Sequence, residues 1–346
     1  MSPAQGWLTD RKARLERKNA FDGALVYGTA KFNRETGRDR THRSPFLDCV
    51  DPETGLIRAD LVRPRSCPVC SEAPGPGLFI KDGFRHVKCP VCGLIYVSLI
   101  LREDVMLRFW REELAWMSVL NSGPQEKLDR LKFAYGLDAA GAWRPEGAGP
   151  GNLLDMGAGN GTFVRVAGEM GWKATALEIN TESVQSMLDE GIRVIVKPLE
   201  LSDLPQGSFD LVTFWEVLEH LAEPRHALTR VGPLLNEGGL LLILVPNAGS
   251  LVTRILHEKS NTFGGHSHLN HFDAGSLSRL LESLGYEILE METLLTELGA
   301  INNHLDFQDP YLGDAAAFTT ELTPQVIHDR MWGSRLFVLA RRKPTA

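Results

Sequence analysis

The string Leu154-Asp155-Met156-Gly157-Ala158-Gly159-Asn160-Gly161 constrains the fold most: an apolar strand runs into a glycine-rich turn, and a helix opens at Thr162. Glycines permit tight turns and let a ligand approach the backbone where a Cβ would collide. After Gly151 the pattern alternates between strand and helix. Strands are expected at 152–156, 173–179, 193–198, 209–215, 239–245, 286–293 and 335–341, with helices at 161–170, 181–190, from about 221, and at 276–284. Such alternation specifies an α/β fold with a doubly wound, mostly parallel sheet of seven strands. No convincing crossover helix separates the last two strands, so the seventh is expected to run antiparallel to its neighbours. Glu178 ends the second strand, where a carboxylate can accept hydrogen bonds from both ribose hydroxyls of a nucleoside.

A second unit lies upstream. Cys67-Pro-Val-Cys70 and Cys89-Pro-Val-Cys92-Gly93 are separated by eighteen residues. Each Cys-x-x-Cys knuckle aims two thiolates at one point, and two knuckles complete a tetrahedral sulfur shell for zinc. With four protein ligands no coordination position stays open, so this zinc is expected to fold the unit rather than to catalyse. Phe79-Ile80 and 84–87 suit ribbon strands around an Asp82-Gly83 turn, with another strand at 94–97. Cys49 stands apart as a plain thiol.

The chain of 346 residues is therefore divided into four parts. Residues 1–62 form a polar, basic extension with one helix from Lys12 to Ala20, and residues 63–98 form the zinc ribbon. A helical connector or lid follows at 99–148, carrying Trp110 and Trp116, and the main domain spans 149–346. Residues 1–66 hold 13 Lys/Arg against 9 Asp/Glu, while the whole chain carries a net charge of −7. A basic arm on an acidic body can meet an anionic partner such as nucleic acid, although a solvated arm is the simpler expectation. No stretch of about 18 apolar residues is present, so no membrane span is expected, and the charged N-terminus suggests a cytoplasmic protein.

A bare Gly-x-Gly is a weak signal, and dinucleotide-binding folds prefer Gly-x-Gly-x-x-Gly. Here Asp155 precedes Gly157-x-Gly159-x-Gly161. This form resembles the first motif of class I S-adenosylmethionine-dependent methyltransferases, whose fold is Rossmann-like. Further motifs resemble that family in order. Glu178-Ile179 looks like its ribose motif, and Leu199-Glu200-Leu201 like the segment flanking adenine. Phe209-Asp210-Leu211-Val212 looks like the start of its fourth strand, and Leu235-Asn236-Glu237-Gly238-Gly239 like the turn before the fifth. The resemblance covers roughly residues 150–290. It implies S-adenosylmethionine as cofactor, with Asp155, Gly157, Gly159, Gly161, Glu178, Ile179, Glu200, Leu201 and Trp215 around it. An acid at Asp155 can orient the turn and meet a cationic ligand.

Two clusters carry the remaining chemistry. Glu216-Val217-Leu218-Glu219-His220 follows the fourth strand, and a helical continuation would place Glu216, Glu219 and His220 on one face. His266-Ser267-His268-Leu269-Asn270-His271 follows the fifth strand. The Glu-x-x-Glu-His string resembles the divalent-metal motif of ubiquinone-pathway O-methyltransferases and small-RNA 2′-O-methyltransferases, which implies a second metal on Glu216, Glu219, His220 and His268. The overall layout resembles bacterial methyltransferases of surface-polysaccharide and natural-product pathways, where His220 or His268 would serve as base, with Glu216 beside them. O-methylation of a sugar hydroxyl or another small hydroxylated metabolite is the leading expectation. RNA 2′-O-methylation and a noncatalytic cofactor-binding role, with the ribbon docking partners, stand as alternatives. The segment 306–332 is expected to be a lid or a dimer contact; the oligomeric state is not written in the sequence.

Overall fold

The computed structural model describes residues 11–20, 44–112, 123–198, 204–308 and 322–343. Helix α1 (Arg11–Asn19) comes first. Strand β1 (Val62–Pro64) then opens the ribbon unit, β2 (Gly77–Lys81) and β3 (Phe84–Lys88) form its hairpin, β4 (Ile95–Val97) joins β3, and β5 (Leu99–Leu101) returns to pair with β1. The hairpin turns at Asp82 and Gly83, both at positive φ (51° and 83°), as a two-residue turn matched to strand twist requires. A Cβ on Gly83 would sit 2.8 Å from Val50 Cγ2. Residues 44–62 therefore lie on the hairpin: Ile57 is buried with Phe84, Val97 and Ile100. That stretch, expected to be part of a polar extension, belongs to the ribbon's own core.

Helices α2 (Glu103–Glu112) and α3 (Gly123–Ala142) lead into the sheet. There β6 (Asn152–Met156), α4 (Thr162–Glu169), β7 (Lys173–Leu177), α5 (Thr181–Asp189) and β8 (Arg193–Ile195) alternate as expected, followed by β9 (Phe209–Trp215), α6 (Pro224–Val231) and β10 (Leu235–Pro246). Then come α7 (Leu251–Leu256), β11 (Asn270–His271), α8 (Ala274–Ser283), β12 (Tyr286–Leu294), α9 (Leu298–Gln308), α10 (Pro324–Asp329) and β13 (Arg335–Arg342). The seven-stranded sheet has the order β12-β13-β10-β9-β6-β7-β8. β13 is antiparallel to both β10 and β12. The connection before β13 carries α9 and α10, where only a long loop was expected; residues 309–321 of that segment, like Trp116, lie outside the described residues.

Alternating side chains build a core on each side of the sheet. Leu154, Met156, Phe214, Leu241 and Ile243 face α6, α8 and the ribbon, while Leu153, Leu211, Leu240 and Leu242 face α3 and α4. The first of these cores also takes in Cys67, Val69, Cys92, Leu94 and Tyr96. Arg225 of α6 donates to the Val69 carbonyl, and Arg279 of α8 to that of Cys92, so both cysteine knuckles are tied to the main domain. β11 pairs with β4, giving the ribbon a four-stranded sheet in the order β11-β4-β3-β2. The ribbon sheet is thus completed by residues 172 positions or more beyond position 98, the end expected for the ribbon.

The basic N-terminal helix finds its anions within the chain. Arg14 lies 3.1 Å from Glu290 and 2.9 Å from Glu292 on β12, and the buried Lys18 also pairs with Glu292. Among the described residues no helix is long and apolar enough to cross a membrane.

Two buried imidazoles link this packing to pH. Burial holds His86 and His328 down to about 4, against about 6.5 in an unfolded chain. Between pH 4 and 6.5 the native state therefore binds fewer protons than the unfolded one, and stability falls as pH falls through that window. The melting midpoint followed by circular dichroism should drop steadily from pH 7 to pH 5. Imidazole proton resonances of His86 and His328 that titrate near 6.5 in the folded protein would contradict neutral burial of these rings.

Candidate active site

The parallel strands β6 and β9 lie side by side and their connections leave in opposite directions, which opens a crevice at their carboxyl ends. The glycine turn lies there. Gly157, Gly159 and Gly161 have φ of 68°, 54° and 79°, a region closed to most side chains. A Cβ on Gly157 would also meet Val217 Cγ2 at 2.8 Å. Glu178 closes over the turn: its Oε2 accepts from Gly159 N–H at 2.7 Å, and its Oε1 accepts from the N–H groups of Ile179 and Asn180. The half-buried Ile179 continues into Asn180, whose amide donates to the Trp110 carbonyl at 3.1 Å. Helix α2 thereby reaches over this end of the sheet, and the Trp110 ring stands edge-on to His220 with centroids 4.9 Å apart.

Two residues expected at the cofactor have protein partners of their own. Asp155 is buried between β6 and β9, accepts from the Thr213 hydroxyl at 2.7 Å, and is pushed up to about 8 by burial. Its hydrogen-bond partner thus lies on the neighbouring strand β9. Trp215 packs against Phe133 of α3 and Phe163 of α4. Gly136 explains why: a Cβ there would lie 2.6 Å from the indole, so a glycine inside α3 makes room for that ring. Glu200 and Leu201 lie outside the described residues.

The chain after β9 is a turn, not a helix. Glu216 sits at φ 55° and its carboxylate pairs with Arg335 of β13, with Lys132 of α3 at 3.7 Å. Burial opposes its charge, but Arg335 and Lys132 bring it down to about 2. Glu216 therefore does not join the group expected for a second metal. Glu219, His220 and His268 do come together, with one ligand atom from each within 4.8 Å of the others. The His220 and His268 rings are 4.9 Å apart. His220 Nδ1 faces the Ser267 carbonyl at 2.9 Å, and His268 Nδ1 faces the Thr262 carbonyl at 3.0 Å. A carbonyl only accepts, so each Nδ1 carries the proton and each Nε2 presents a lone pair. Glu219 is 1% exposed, and neither carboxylate oxygen has a hydrogen-bond partner among the described residues. Burial, reinforced by the charge of Glu216, pushes its carboxyl well above the usual range.

A family model described as a methyltransferase domain matches residues 125–291, which begins in α3 and ends in β12. The glycine turn, Glu178 and the Glu219 group all fall inside that match. The chain carries a class I S-adenosylmethionine-dependent methyltransferase domain. It is 25% identical over 193 residues to the ubiquinone biosynthesis O-methyltransferase of Xanthomonas axonopodis pv. citri, covering 51% of this chain and 77% of that protein. The enzyme of the same description from Xanthomonas campestris pv. campestris is 32% identical over 133 residues, covering 36% and 54% respectively. Among solved structures, a chain from a complex between a Haloferax volcanii methyltransferase activator and a methyltransferase superposes with TM-score 0.50 at 17% identity, covering 68% of this chain and 99% of that one. That likeness concerns the fold alone.

The methyltransferase also gathers its four paired cysteines. Cys67 Sγ lies 3.4 Å from Cys92 Sγ, and Cys70 Sγ 3.4 Å from Cys89 Sγ. Zinc–sulfur bonds of about 2.3 Å in a tetrahedron set sulfur atoms about 3.8 Å apart, so the cluster fits that ion. Cys49 stays separate, as a half-buried free thiol. Sequence reasoning missed Arg335 and Lys132, which hold Glu216, as well as Arg65 and Asn270. Nothing local distinguishes an isolated arginine whose partners lie more than a hundred positions away.

Proposed function

We propose that this methyltransferase transfers the methyl group of S-adenosylmethionine to a hydroxyl oxygen of a small acceptor, a sugar or another hydroxylated metabolite. Glu219, His220 and His268 face the reacting oxygen in this reading. The observation that carries it is the buried Glu219 carboxyl group, without a hydrogen-bond partner among the described residues, with His220 Nε2 at 3.9 Å and one ring nitrogen of His268 within 4.8 Å. The named relatives act in O-methylation, which agrees with an oxygen acceptor.

The cofactor fits the residues at the crevice. The three positive-φ glycines keep side chains away from the turn, and Glu178 offers carboxylate oxygens where ribose hydroxyls would lie. When bound, the cofactor supplies an already activated methyl group. What remains for the chain is alignment and removal of one proton. Alignment contributes on the order of 7–11 kcal/mol, and a positioned base about 10²–10⁴-fold. The Ser267 and Thr262 carbonyls fix the rings of His220 and His268 so that Nε2 is ready to accept that proton.

One carboxylate and two imidazoles also suit a divalent cation, with positions left open for an acceptor hydroxyl. Such an ion would lower the pKa of that hydroxyl. Glu219, His220 and His268 would hold it; Glu216, held by Arg335, would stay outside.

The test is S-adenosylhomocysteine formation across a panel of catechols, phenols and sugars, with protein dialysed against chelator and then supplied with Mg²⁺, Mn²⁺ or Co²⁺. Product formed with a hydroxylated acceptor is expected, restored by one of the ions. Turnover confined to amine, carbon or RNA acceptors would overturn the reading. Full turnover after chelation would leave the imidazoles as the proton acceptors and remove the ion.

A further inference from the structure

Arg65 lies two residues before the first zinc-ligand position and is 7% exposed. Its guanidinium spans three separate segments. Nε donates to the Val97 carbonyl of β4 at 2.8 Å, Nη1 to the Ala222 carbonyl at 2.9 Å, and Nη2 to the Leu269 carbonyl at 2.6 Å and Asn270 Oδ1 at 3.0 Å. Asn270, 1% exposed, turns its amide the other way. Its Nδ2 donates to the carbonyls of Leu221, Leu218 and Glu219 at 2.8, 3.2 and 3.4 Å. The backbone N–H groups of Leu269 and Asn270 both donate to the Glu219 carbonyl, at 2.8 and 3.1 Å. Asn270 is also the first residue of β11, paired with Tyr96 of the ribbon.

Every one of these bonds ends on the turn carrying Glu219 and His220, on the strand following His268, or on the ribbon. Buried groups with such networks fix a single arrangement only when all members are satisfied. We infer that Arg65 and Asn270 are positioning residues that lock the Glu219–His220 turn to the His268 segment through the ribbon sheet, so that the ribbon sets the alignment of the two imidazoles. Neither side chain touches the reacting atoms. They hold the backbone that holds the rings: with the turn displaced, His220 loses the Ser267 carbonyl and its fixed tautomer. The inference rests on the proposed role of His220 and His268, and it gives the ribbon a part in the reaction beyond its own folding.

The test uses the full chain with Asn270→Ser and, as the milder change, Arg65→Lys, which keeps the charge but not the fork. Long-range ¹⁵N–¹H spectra of histidine-labelled protein report the tautomers of His220 and His268 directly, without turnover. Wild type is expected to show Nδ1–H forms for both. The variants are expected to show mixed tautomers and a kcat lowered about 10–100-fold, in the range seen when groups that orient ligating histidines are removed. Zinc content, S-adenosylhomocysteine affinity and KM for S-adenosylmethionine should stay within about twofold of wild type. Unchanged tautomers and kcat in either folded variant would overturn the inference. Should Asn270→Ser fail to fold, Arg65→Lys decides by the same spectra. Failure of the underlying reading looks different: His268→Ala would keep full turnover while the tautomers still respond to Arg65→Lys.

Discussion

Cys89→Ser protein is expected to lose zinc, melt at least on the order of 10 °C below wild type, and fall to about 1% or less of wild-type turnover. Structural zinc is worth on the order of 10–16 kcal/mol in zinc-finger peptides, and for a chain this long a few kcal/mol already moves the midpoint by about that much. The effect should not stay local. Cys67, Val69 and Cys92 are part of the core that covers one face of the main sheet, and Arg225 and Arg279 bind knuckle carbonyls. β11 has its pairing partner in the ribbon, one residue beyond Leu269, whose N–H meets the Glu219 carbonyl. Metal analysis, circular dichroism and a product assay on one preparation check all three effects. A zinc-free variant with wild-type melting and turnover would show the ribbon to be an independent appendage.

The second large effect is expected at the convergent group. His268→Ala and Glu219→Gln should each lower kcat by about 10²–10⁴-fold, the span of a positioned acid–base group, while leaving S-adenosylhomocysteine affinity within about threefold. Chemistry and cofactor binding separate because, among the described residues, the glycine turn and Glu178 make no hydrogen bond or ion pair with these side chains. Glu219→Gln is nearly isosteric and places a neutral amide where burial already disfavours the charge, so its fold should be sound. Glu216→Gln is expected to behave differently: it loosens Arg335 and Lys132 and lowers stability, with a smaller change in kcat. Equal losses at Glu216 and Glu219 would indicate that both carboxylates meet the acceptor.

These contrasts follow the line between what the sequence reveals and what it hides. The glycine turn, the seven strands and the cysteine pairs are legible because each depends on local pattern: period-two apolar runs, obligatory positive φ, or ligand spacing. The antiparallel last strand was also foreseen, though not the two helices that precede it. The fate of Glu216 was hidden because a residue 119 positions away decides it: Arg335 draws the carboxylate off, and the turn at φ 55° replaces the helix that Glu-x-x-Glu-His suggests. The packing of Trp215 was hidden for a similar reason, since the room it occupies is made by Gly136 on a helix that precedes the sheet. Asp155 has an acid's pattern position but a buried residue's environment. β11, only two residues long, is too short for any periodicity to announce, and its partner belongs to the ribbon.

The most direct test of the central claim is calorimetric titration of S-adenosylhomocysteine into zinc-loaded wild type and into Glu178→Ala. Glu178 supports the turn through Gly159 and, in the proposed reading, offers the ribose acceptors, so its loss is expected to remove both functions at once. Micromolar-range binding by wild type, weakened at least about tenfold in the variant, is the expected result. Folded, zinc-loaded wild type that binds no cofactor, or a variant that binds as tightly as wild type, would contradict it.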